Sequence, residues 1–249
     1  MSMEWLPPWL GRAYSAIRLE FGNKVFTIDD AARSLGFSRP KATLTLSRLA
    51  AAGWLAKPFS RGRYIAVDPD IVFSSVVRGG LTGPPLASKG AFPCLQAALG
   101  GIIRLYGERL VSLAVFGSTA RGEGGATSDV DLLVVAEGLS RSYSERLAEL
   151  EPVSDACSNL NRVLWPERGE YHLLDAVVLA PEELLSNSLF LLDMTRDALV
   201  VFDRRGTLRG VLEGVRRRLA ETGSRRVETP AGNWYWELKP GTVSGVKPA

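Results

Sequence analysis

The sequence predicts an α/β domain preceded by a smaller, mostly helical N-terminal domain. Up to Val67, three helical periodicities are followed by two short strand-like runs, whereas from Ala91 onward helical and strand-like segments alternate. Between these regions the chain is rich in Gly, Pro and Ser, which is typical of a linker. The 249 residues suit two modest domains. We predict an N-terminal domain at 1–78, a linker at 79–90, an α/β domain at 91–222 and a tail at 223–249.

Three helices are predicted in the N-terminal domain, each with its own boundary signals. Apolar residues at helical spacing mark the first helix, Trp9–Phe21. Thr27, followed by two aspartates, is expected to cap the second helix, and Gly36 to end it. Ser38 is expected to cap the third helix. The predicted core positions of this third helix are Ala42, Leu44, Leu46, Leu49 and Ala50.

A hairpin is predicted after the third helix. Trp54–Lys57 and Arg63–Val67 have strand-like composition and flank a tip that contains Pro and Gly. One more short helix is expected at Asp68–Val77.

The α/β domain is expected to alternate helices and strands as far as residue 222. Its predicted helices are Phe92–Gly107, Ser118–Gly122, Ser142–Arg162, Pro181 to about Thr195, and Thr207–Thr222. Its predicted strands are Leu110–Phe116, Val130–Ala136, His172–Leu179 and Ala198–Phe202. In the tail, Trp234, Tyr235 and Trp236 are expected to pack or form an interface, with base stacking as the alternative.

Composition excludes several classes of protein. No apolar run approaches the ~20 residues that span a bilayer, and the first residues lack the pattern of a secretory signal. The two cysteines, Cys94 and Cys157, match no metal or redox spacing and are too few for a disulfide scaffold. We therefore predict a cytoplasmic protein without membrane contact, with both cysteines reduced.

Positive charge is concentrated in the N-terminal domain. Net charge is only +3, yet seven basic residues and no acidic one lie between Ala31 and Val67. They are Arg33, Arg39, Lys41, Arg48, Lys57, Arg61 and Arg63. Such a block indicates an anionic partner.

Two aspartates begin the strand at Val130–Ala136. Asp129 and Asp131 are two residues apart, so both carboxylates are expected on one face of the strand. Like charges this close favour a cation between them, and hard oxygen ligands favour Mg²⁺ or Mn²⁺. The alternative is a solvated turn, because an Asp-x-Asp pair alone is common.

A small-residue turn lies upstream of these aspartates. Gly117 follows an apolar strand and permits close approach of the backbone to a phosphate. Ser118 offers a hydroxyl and is expected to cap the next helix, whose first N–H groups would then point at an anion. Arg121 lies within one helical turn and can reach a phosphate.

Asp175 is the candidate for a third carboxylate. It lies amid apolar residues of the next predicted strand, where a lone buried carboxylate would be costly. If that strand adjoins the Asp129 strand, all three carboxylates meet.

The motif as a whole resembles the signature of the DNA polymerase β-like nucleotidyltransferase superfamily. Gly117 and Ser118 are followed, after ten intervening residues, by Asp129-x-Asp131. The fuller motif, Gly-Ser-x-Ala-Arg-Gly through Ser128-Asp-x-Asp-Leu, is most similar to the minimal nucleotidyltransferases of bacteria and archaea. The segment from Leu191 to Asp203 also resembles that group. The resemblance covers roughly Ala91–Leu219 and implies an α+β nucleotidyltransferase fold with a mixed sheet.

This resemblance implies a reaction and its ligands. Two divalent ions, Mg²⁺ or Mn²⁺, would be held by Asp129, Asp131 and Asp175, with the NTP (ATP for preference) bound through Gly117, Ser118, Arg121 and Ser128. A nucleoside monophosphate would pass to an acceptor hydroxyl and pyrophosphate would leave. Many minimal nucleotidyltransferases are antitoxins paired with a helical HEPN toxin. No large substrate domain follows, which favours a protein or small-molecule acceptor. The alternative is a transcription regulator that only senses the nucleotide.

The N-terminal domain resembles a winged helix-turn-helix over Trp9–Val67. This resemblance implies binding of double-stranded DNA, with the third helix in the major groove and the hairpin as the wing. The candidate DNA contacts are Ser38, Arg39, Lys41 and Thr43, with Thr45 as a further possibility, and Arg61 and Arg63 on the wing. Because one such module binds weakly, a homodimer is expected. The alternative is a protein-interaction domain with a solvated basic face.

Two further features receive structural interpretations. His172, the one histidine, can be read as a base beside Asp175, but a lone histidine on a strand is more often structural. Arg216–Arg218 can be read as binding RNA, but we interpret them as an exposed helix face.

Overall fold

The computed structural model describes residues 6–57, 62–72, 91–184, 186, 188–230 and 234–239. Its N-terminal part contains three helices and a three-stranded antiparallel sheet of order β1-β3-β2. The elements are α1 (Pro8–Phe21), β1 (Phe26–Thr27), α2 (Ile28–Leu35), α3 (Arg39–Ala51), β2 (Leu55–Ala56) and β3 (Arg63–Ala66). The predicted hairpin is therefore extended by β1. The predicted linker and the tip residue Arg61 lie outside the described residues, as does the predicted helix beyond residue 72; residues 69–72 are helical.

Capping residues set the N-terminal helices as the sequence predicts, with two differences. Thr27 and Asp30 form a capping box, each side chain bonding the other's backbone N–H. Ser38 is the N-cap of α3 but makes no side-chain capping bond. Leu44 is 52% exposed whereas Thr45 is buried. The expectation of a buried Leu44 and a DNA-facing Thr45 is therefore wrong, since the helix turns Thr45 toward the core.

The second part is a mixed four-stranded sheet with helices on both faces. Its helices are α4 (Phe92–Tyr106), α5 (Gly117–Arg121), α6 (Tyr143–Glu149), α7 (Glu151–Arg168), α8 (Pro181–Leu184), α9 (Ser188–Asp197) and α10 (Thr207–Thr222). Its strands are β4 (Leu110–Val115), β5 (Val130–Ala136), β6 (Leu174–Leu179) and β7 (Leu199–Asp203), in the order β6-β5-β4-β7. Only β5 and β6 run parallel. This architecture fits a nucleotidyltransferase fold.

Two of the predicted helices are each divided into two. The segment from Pro181 to about Thr195 corresponds to α8 and α9. The segment expected as Ser142–Arg162 breaks at Leu150 into α6 and α7, because Pro152 belongs in the first turn of a new helix. Helix α7 then continues past Pro166 to Arg168 and ends at Gly169, which adopts a φ of +65°. The tail forms a two-stranded hairpin of β8 (Arg225–Glu228) and β9 (Trp234–Glu237).

The sheet separates two apolar cores. On one face, alternate residues of β5 such as Val130 and Leu132 pack with α4 and α7. On the other face, Leu133 and Val135 pack with α9 and α10. The first core continues without a break into the N-terminal part, through Val67 and Leu95. Among the described residues, no helix is long and apolar enough to cross a membrane.

Candidate active site

The predicted turn lies between β4 and α5. Gly117 is the first residue of α5 and has a φ of +67°, a conformation that favours glycine. A Cβ at this position would overlap the carboxylate of Asp131. Phe116 is the N-cap, so the expectation that Ser118 caps the helix is wrong: the cap lies two residues earlier and Ser118 is inside the helix. The first N–H groups of α5 still lack intrahelical acceptors, as in any helix.

Three carboxylates meet at one end of the β5–β6 pair. Asp131 is the register partner of Asp175 in the parallel ladder, so their side chains share one face of the sheet. Asp129 immediately precedes β5, and Val130 between the two aspartates is fully buried on the opposite face. The register therefore places Asp131 beside Asp175, and Asp129 lies two residues before Asp131 in the chain.

Mutual repulsion marks this cluster. Partial burial, together with neighbouring Asp175 and Asp129, raises the pKa of Asp131 to about 6, and Arg121 opposes that rise. A cation between the carboxylates would relieve the repulsion. The donors are hard oxygens, which suit Mg²⁺ or Mn²⁺. In this arrangement, no three His, Cys, Asp or Glu side chains of the described residues form a group that could hold a metal.

Asp175 differs from its sequence-based description. The sequence suggested a buried carboxylate, but Asp175 is exposed because β6 is an edge strand of the described sheet. Its cost of burial is therefore no argument for a metal. Its position opposite Asp131 is the stronger one.

Thr119 is a site residue that sequence reasoning missed. Its side chain is 3% exposed, and its hydroxyl donates to the backbone carbonyl of Asp129 at 3.1 Å. The backbone N–H of Phe116 likewise donates to the carbonyl of Asp131 at 3.1 Å. These two bonds tie the turn to the carboxylate strand. A buried threonine ten residues before an aspartate carries no sequence signal of its own.

Arg121 lies between the carboxylates and the C-terminal hairpin. Its Nε donates to Glu123 at 2.6 Å, one terminal nitrogen lies 3.9 Å from Asp197, and the guanidinium lies 4.8 Å from the ring centroid of Trp234. The hairpin is anchored to α9 by Asp193, which accepts a hydrogen bond from the indole N–H of Trp234 at 3.2 Å. Trp236 also donates to Asp193, at 2.8 Å, and packs against the second core, whereas Tyr235 is exposed.

The other nucleotide-binding candidates lie around the same loop. Ser118 is half-buried in α5, and the hydroxyl of Ser128 accepts a bond from the N–H of Gly125 at 2.8 Å, which closes the loop before Asp129. His172 is 1% exposed, and its Nδ1 lies 2.8 Å from the carbonyl of Ser128. Asn161 binds the backbone N–H and carbonyl of His172. This enclosure agrees with a structural histidine.

The basic N-terminal residues lie on the exposed side of α3. Ser38, Arg39, Lys41 and Thr43 are all exposed, as is Arg63 on β3. Arg39 forms an ion pair of 2.5 Å with Asp29, and the ammonium of Lys41 lies 3.8 Å from the ring centroid of Phe37. Both partners of the ion pair are well exposed, so the pair contributes little stability and exchanges readily.

Comparison with known proteins bears on the second part of the chain. Residues 99–173 match the model of the family described as Nucleotidyltransferase domain, which supports a transferase. This segment contains the turn and Asp129 and Asp131, and it ends two residues before Asp175. A search of the curated proteins finds no match.

Two solved structures are similar to part of the chain. One, described as a toxin-antitoxin with AMP-PNP, aligns at 14% identity over 51% of this chain and 90% of its own, with a TM-score of 0.29. The other, described as a mutant of the toxin-antitoxin MntA-HpeT, aligns at 12% identity over 49% and 87%, with a TM-score of 0.28. At these TM-scores neither likeness carries an argument.

Proposed function

We propose that the protein is a metal-dependent nucleotidyltransferase that transfers a nucleoside monophosphate from an NTP, ATP for preference, to a hydroxyl of a protein or small molecule. The observation that carries this proposal is the position of Asp131, which lies against Gly117, opposite Asp175 in the sheet, and within the electrostatic influence of Asp129. The family match at residues 99–173 supports it independently. The resemblance of the motif to minimal nucleotidyltransferases extends it to an antitoxin-like role in the cytoplasm, with a HEPN-type toxin as possible acceptor.

The residues divide the work of this reaction. Asp129, Asp131 and Asp175 would hold two divalent ions, which supply charge neutralisation of the triphosphate and activation of the acceptor oxygen. Gly117 lets the turn pass close to the carboxylate of Asp131, and the free N–H groups of the first turn of α5 would bind a phosphate. Ser118, Ser128 and Arg121 are the further candidates for phosphate contact. The new bond joins the acceptor oxygen to the α-phosphorus, pyrophosphate leaves, and the hydroxyl proton passes to solvent.

Labelled ATP tests the proposal. The full chain is incubated with Mg²⁺ and α-labelled ATP, alone and with candidate acceptors, and pyrophosphate release is measured. We expect Asp129→Asn to lower the rate at least a hundredfold. The matched control is Asp155→Asn, an exposed aspartate on α7. Tight NTP binding without turnover on any acceptor would instead favour the rival function, a regulator that senses nucleotide.

We further propose that the N-terminal part is a winged helix-turn-helix that binds double-stranded DNA, with the chain acting as a homodimer. The observation behind this proposal is the exposure of Ser38, Arg39, Lys41 and Thr43 in the first turns of α3 and at its N-cap, with Arg63 exposed on β3. Arg61, the other wing candidate, lies outside the described residues.

Salt dependence tests the DNA proposal. Affinity for the protein's own promoter is measured across salt concentrations for the wild type and for Arg39→Ala with Lys41→Ala. Each lost phosphate contact is expected to reduce the salt slope by about 1. Arg141→Ala, an exposed arginine of the second part, is the control. A slope that is flat, or unchanged in the double variant, contradicts the proposal.

A further inference from the structure

The outer edge of β6 lies directly beside the candidate active site. The backbone N–H of Val130 donates to the carbonyl of Leu173 across the parallel pair. In a parallel ladder only alternate residues face the neighbouring strand, so the odd-numbered residues of β6 bond to β5. The N–H and carbonyl groups of Leu174, Ala176 and Val178 therefore point away from the sheet.

At one end of this edge, an outward backbone group already has a hydrogen-bond partner. Arg146, buried on α6, donates to the outward carbonyl of Val178 at 3.3 Å and pairs with Glu183. No such contact reaches the outward groups of Leu174 and Ala176 from the residues that the structure describes, and no described strand pairs with them. The open half is thus the half that carries Asp175.

An unpaired edge has the hydrogen-bonding pattern of another extended backbone. A strand added there would lie ~4.8 Å from β6, and a side chain opposite Asp175 would lie ~5 Å from it on the same face. That distance places a side-chain hydroxyl of the added strand next to the carboxylates. The pairing of the two backbones would by itself position the acceptor hydroxyl.

Exposed apolar side chains precede the open half along the chain. Leu173, two residues before Asp175, is 50% exposed, and Trp165 and Tyr171 contact each other edge to face with 56% and 41% exposure. Such side chains suit the neighbouring residues of an added strand. The three carboxylates and a triphosphate leave the site net negative even with two divalent ions, which favours a positively charged acceptor segment.

We propose that the acceptor is an extended segment of a partner polypeptide, which pairs with the outer edge of β6 at Leu174–Ala176 and presents a Ser, Thr or Tyr hydroxyl beside Asp175, with Lys or Arg next to it. This inference rests on the proposed transferase function. It favours a polypeptide over a small molecule as the acceptor, because only an extended backbone can form hydrogen bonds with a row of outward N–H and carbonyl groups.

Peptide nucleotidylation tests the proposal with the full-length chain. The probe is a library of nonapeptides centred on Ser, Thr or Tyr and randomised elsewhere, incubated with Mg²⁺ and α-labelled ATP. The best substrate is then resynthesised with single backbone N-methyl groups. An added strand bonds through every second residue. We therefore expect N-methylation at alternate positions to reduce labelling at least tenfold and at the intervening positions to change it little.

The outcomes separate the two proposals. Labelling that is indifferent to N-methylation, or pyrophosphate release onto small hydroxyl compounds without any labelled peptide, overturns this inference and leaves the transferase function standing. Absence of all NTP turnover overturns both.

Amide hydrogen exchange supplies a readout that does not depend on turnover. In the free chain, the amides of Leu174 and Ala176 are expected to exchange faster than those of Asp175 and Val177, and the substrate peptide is expected to protect them. Protection already present in the free chain would mean that a segment of this chain occupies the edge, which contradicts the proposal. Ala176→Pro removes an outward N–H without touching the β5 ladder and should abolish peptide protection, whereas Ala176→Ser should not.

Discussion

Gly117 combines two demands that no other residue type meets. Its backbone lies in the left-handed region, and the carboxylate of Asp131 occupies the space that a Cβ would need. We expect Gly117→Ala to displace Asp131, to destabilise the fold by about 1–3 kcal/mol and to lower NTP turnover at least a hundredfold. Urea unfolding and pyrophosphate release measure the two effects.

A second glycine separates backbone strain from overlap with Asp131. Gly206 has a similar φ of +72°, but a Cβ there would meet nothing within 4 Å. Gly206→Ala should therefore show a comparable loss of stability with near-normal turnover. Equal losses of turnover in the two variants would mean that strain alone, and not the space beside Asp131, matters.

Asp131 links the candidate site to stability through pH. Its pKa rises from 3.8 to about 6 in the folded chain, so the folded state binds more protons between these values and wild-type stability falls as pH rises through them. In EDTA at pH 7.5, Asp131→Asn should therefore be the more stable protein, by about 1–2 kcal/mol after allowance for solvent screening. The gain should shrink as pH falls toward 4.

Thermal unfolding across pH 4 to 8 checks this prediction. Asp155→Asn, on an exposed helix face, should show no such trend. A stabilisation by Asp131→Asn that is independent of pH would show that ionic repulsion at the cluster is not its cause.

The sequence predicted the residue types of the candidate site better than it predicted their exposure and their hydrogen-bond partners. The two-residue spacing of Asp129 and Asp131 predicts both carboxylates on one face, because the alternation of side chains is a local property of a strand. The exposure of Asp175 depends on which strand ends the sheet, and strand order is not a local property. Thr119 escaped notice because its partner is a backbone carbonyl, which leaves no trace in the sequence.

At the level of elements, α5 and β5 act as one unit. The hydroxyl of Thr119 bonds the carbonyl of Asp129, and it does so from a buried position. We expect Thr119→Val to cost about 1–2 kcal/mol of stability, because a partly buried carbonyl loses its donor. The turn and Asp129 should also lose their mutual position, which predicts a lower turnover with little change in overall structure.

Thr119→Ser is the matched variant. It keeps the hydroxyl and removes only a methyl group, so it should retain most of the turnover that Thr119→Val loses. Steady-state kinetics with ATP distinguishes the two substitutions. If both variants lose turnover equally, packing of the methyl group and not the hydrogen bond positions the turn.

The observed boundaries of helices and strands agree with the predicted ones where the local sequence pattern is strong. Strand β5 and helix α10 occur at their predicted residues, because an unbroken apolar run and a long amphipathic pattern each allow one solution. The start of helix α7 was not predicted, because residues 142–162 were expected to form one continuous helix. Pro152 lies in the first turn of α7, where a proline is tolerated and marks the start of a new helix. Leu44 was misassigned because an apolar residue at helical spacing need not be buried.

At the level of the whole molecule, one buried carboxylate joins the two parts of the chain. Asp68 is fully buried and accepts bonds from Arg18 on α1 at 2.8 Å and from Arg104 on α4 at 3.0 Å. Gln96 on α4 strengthens the junction, donating to the carbonyl of Ala66 at 3.1 Å. The segment rich in Gly, Pro and Ser predicted a linker between two domains, but the sequence could not indicate that their cores are continuous.

Removing this charge should loosen the junction. Asp68→Asn weakens the bonds to both arginines, and we expect a loss of about 2–3 kcal/mol in urea unfolding, because charge-assisted bonds to a buried carboxylate are lost together. Asp70→Asn is the control: Asp70 also pairs with Arg104, but it is partly exposed and its substitution should cost under ~1 kcal/mol.

Gly100→Ala disturbs the same carboxylate from α4, since its Cβ would lie 2.7 Å from an oxygen of Asp68. If Asp68→Asn and Gly100→Ala both lower the free energy of unfolding and Asp70→Asn stays near wild type, Asp68 stabilises the junction. Equal, small losses of stability in all three variants would show that the shared apolar core alone holds the two parts together.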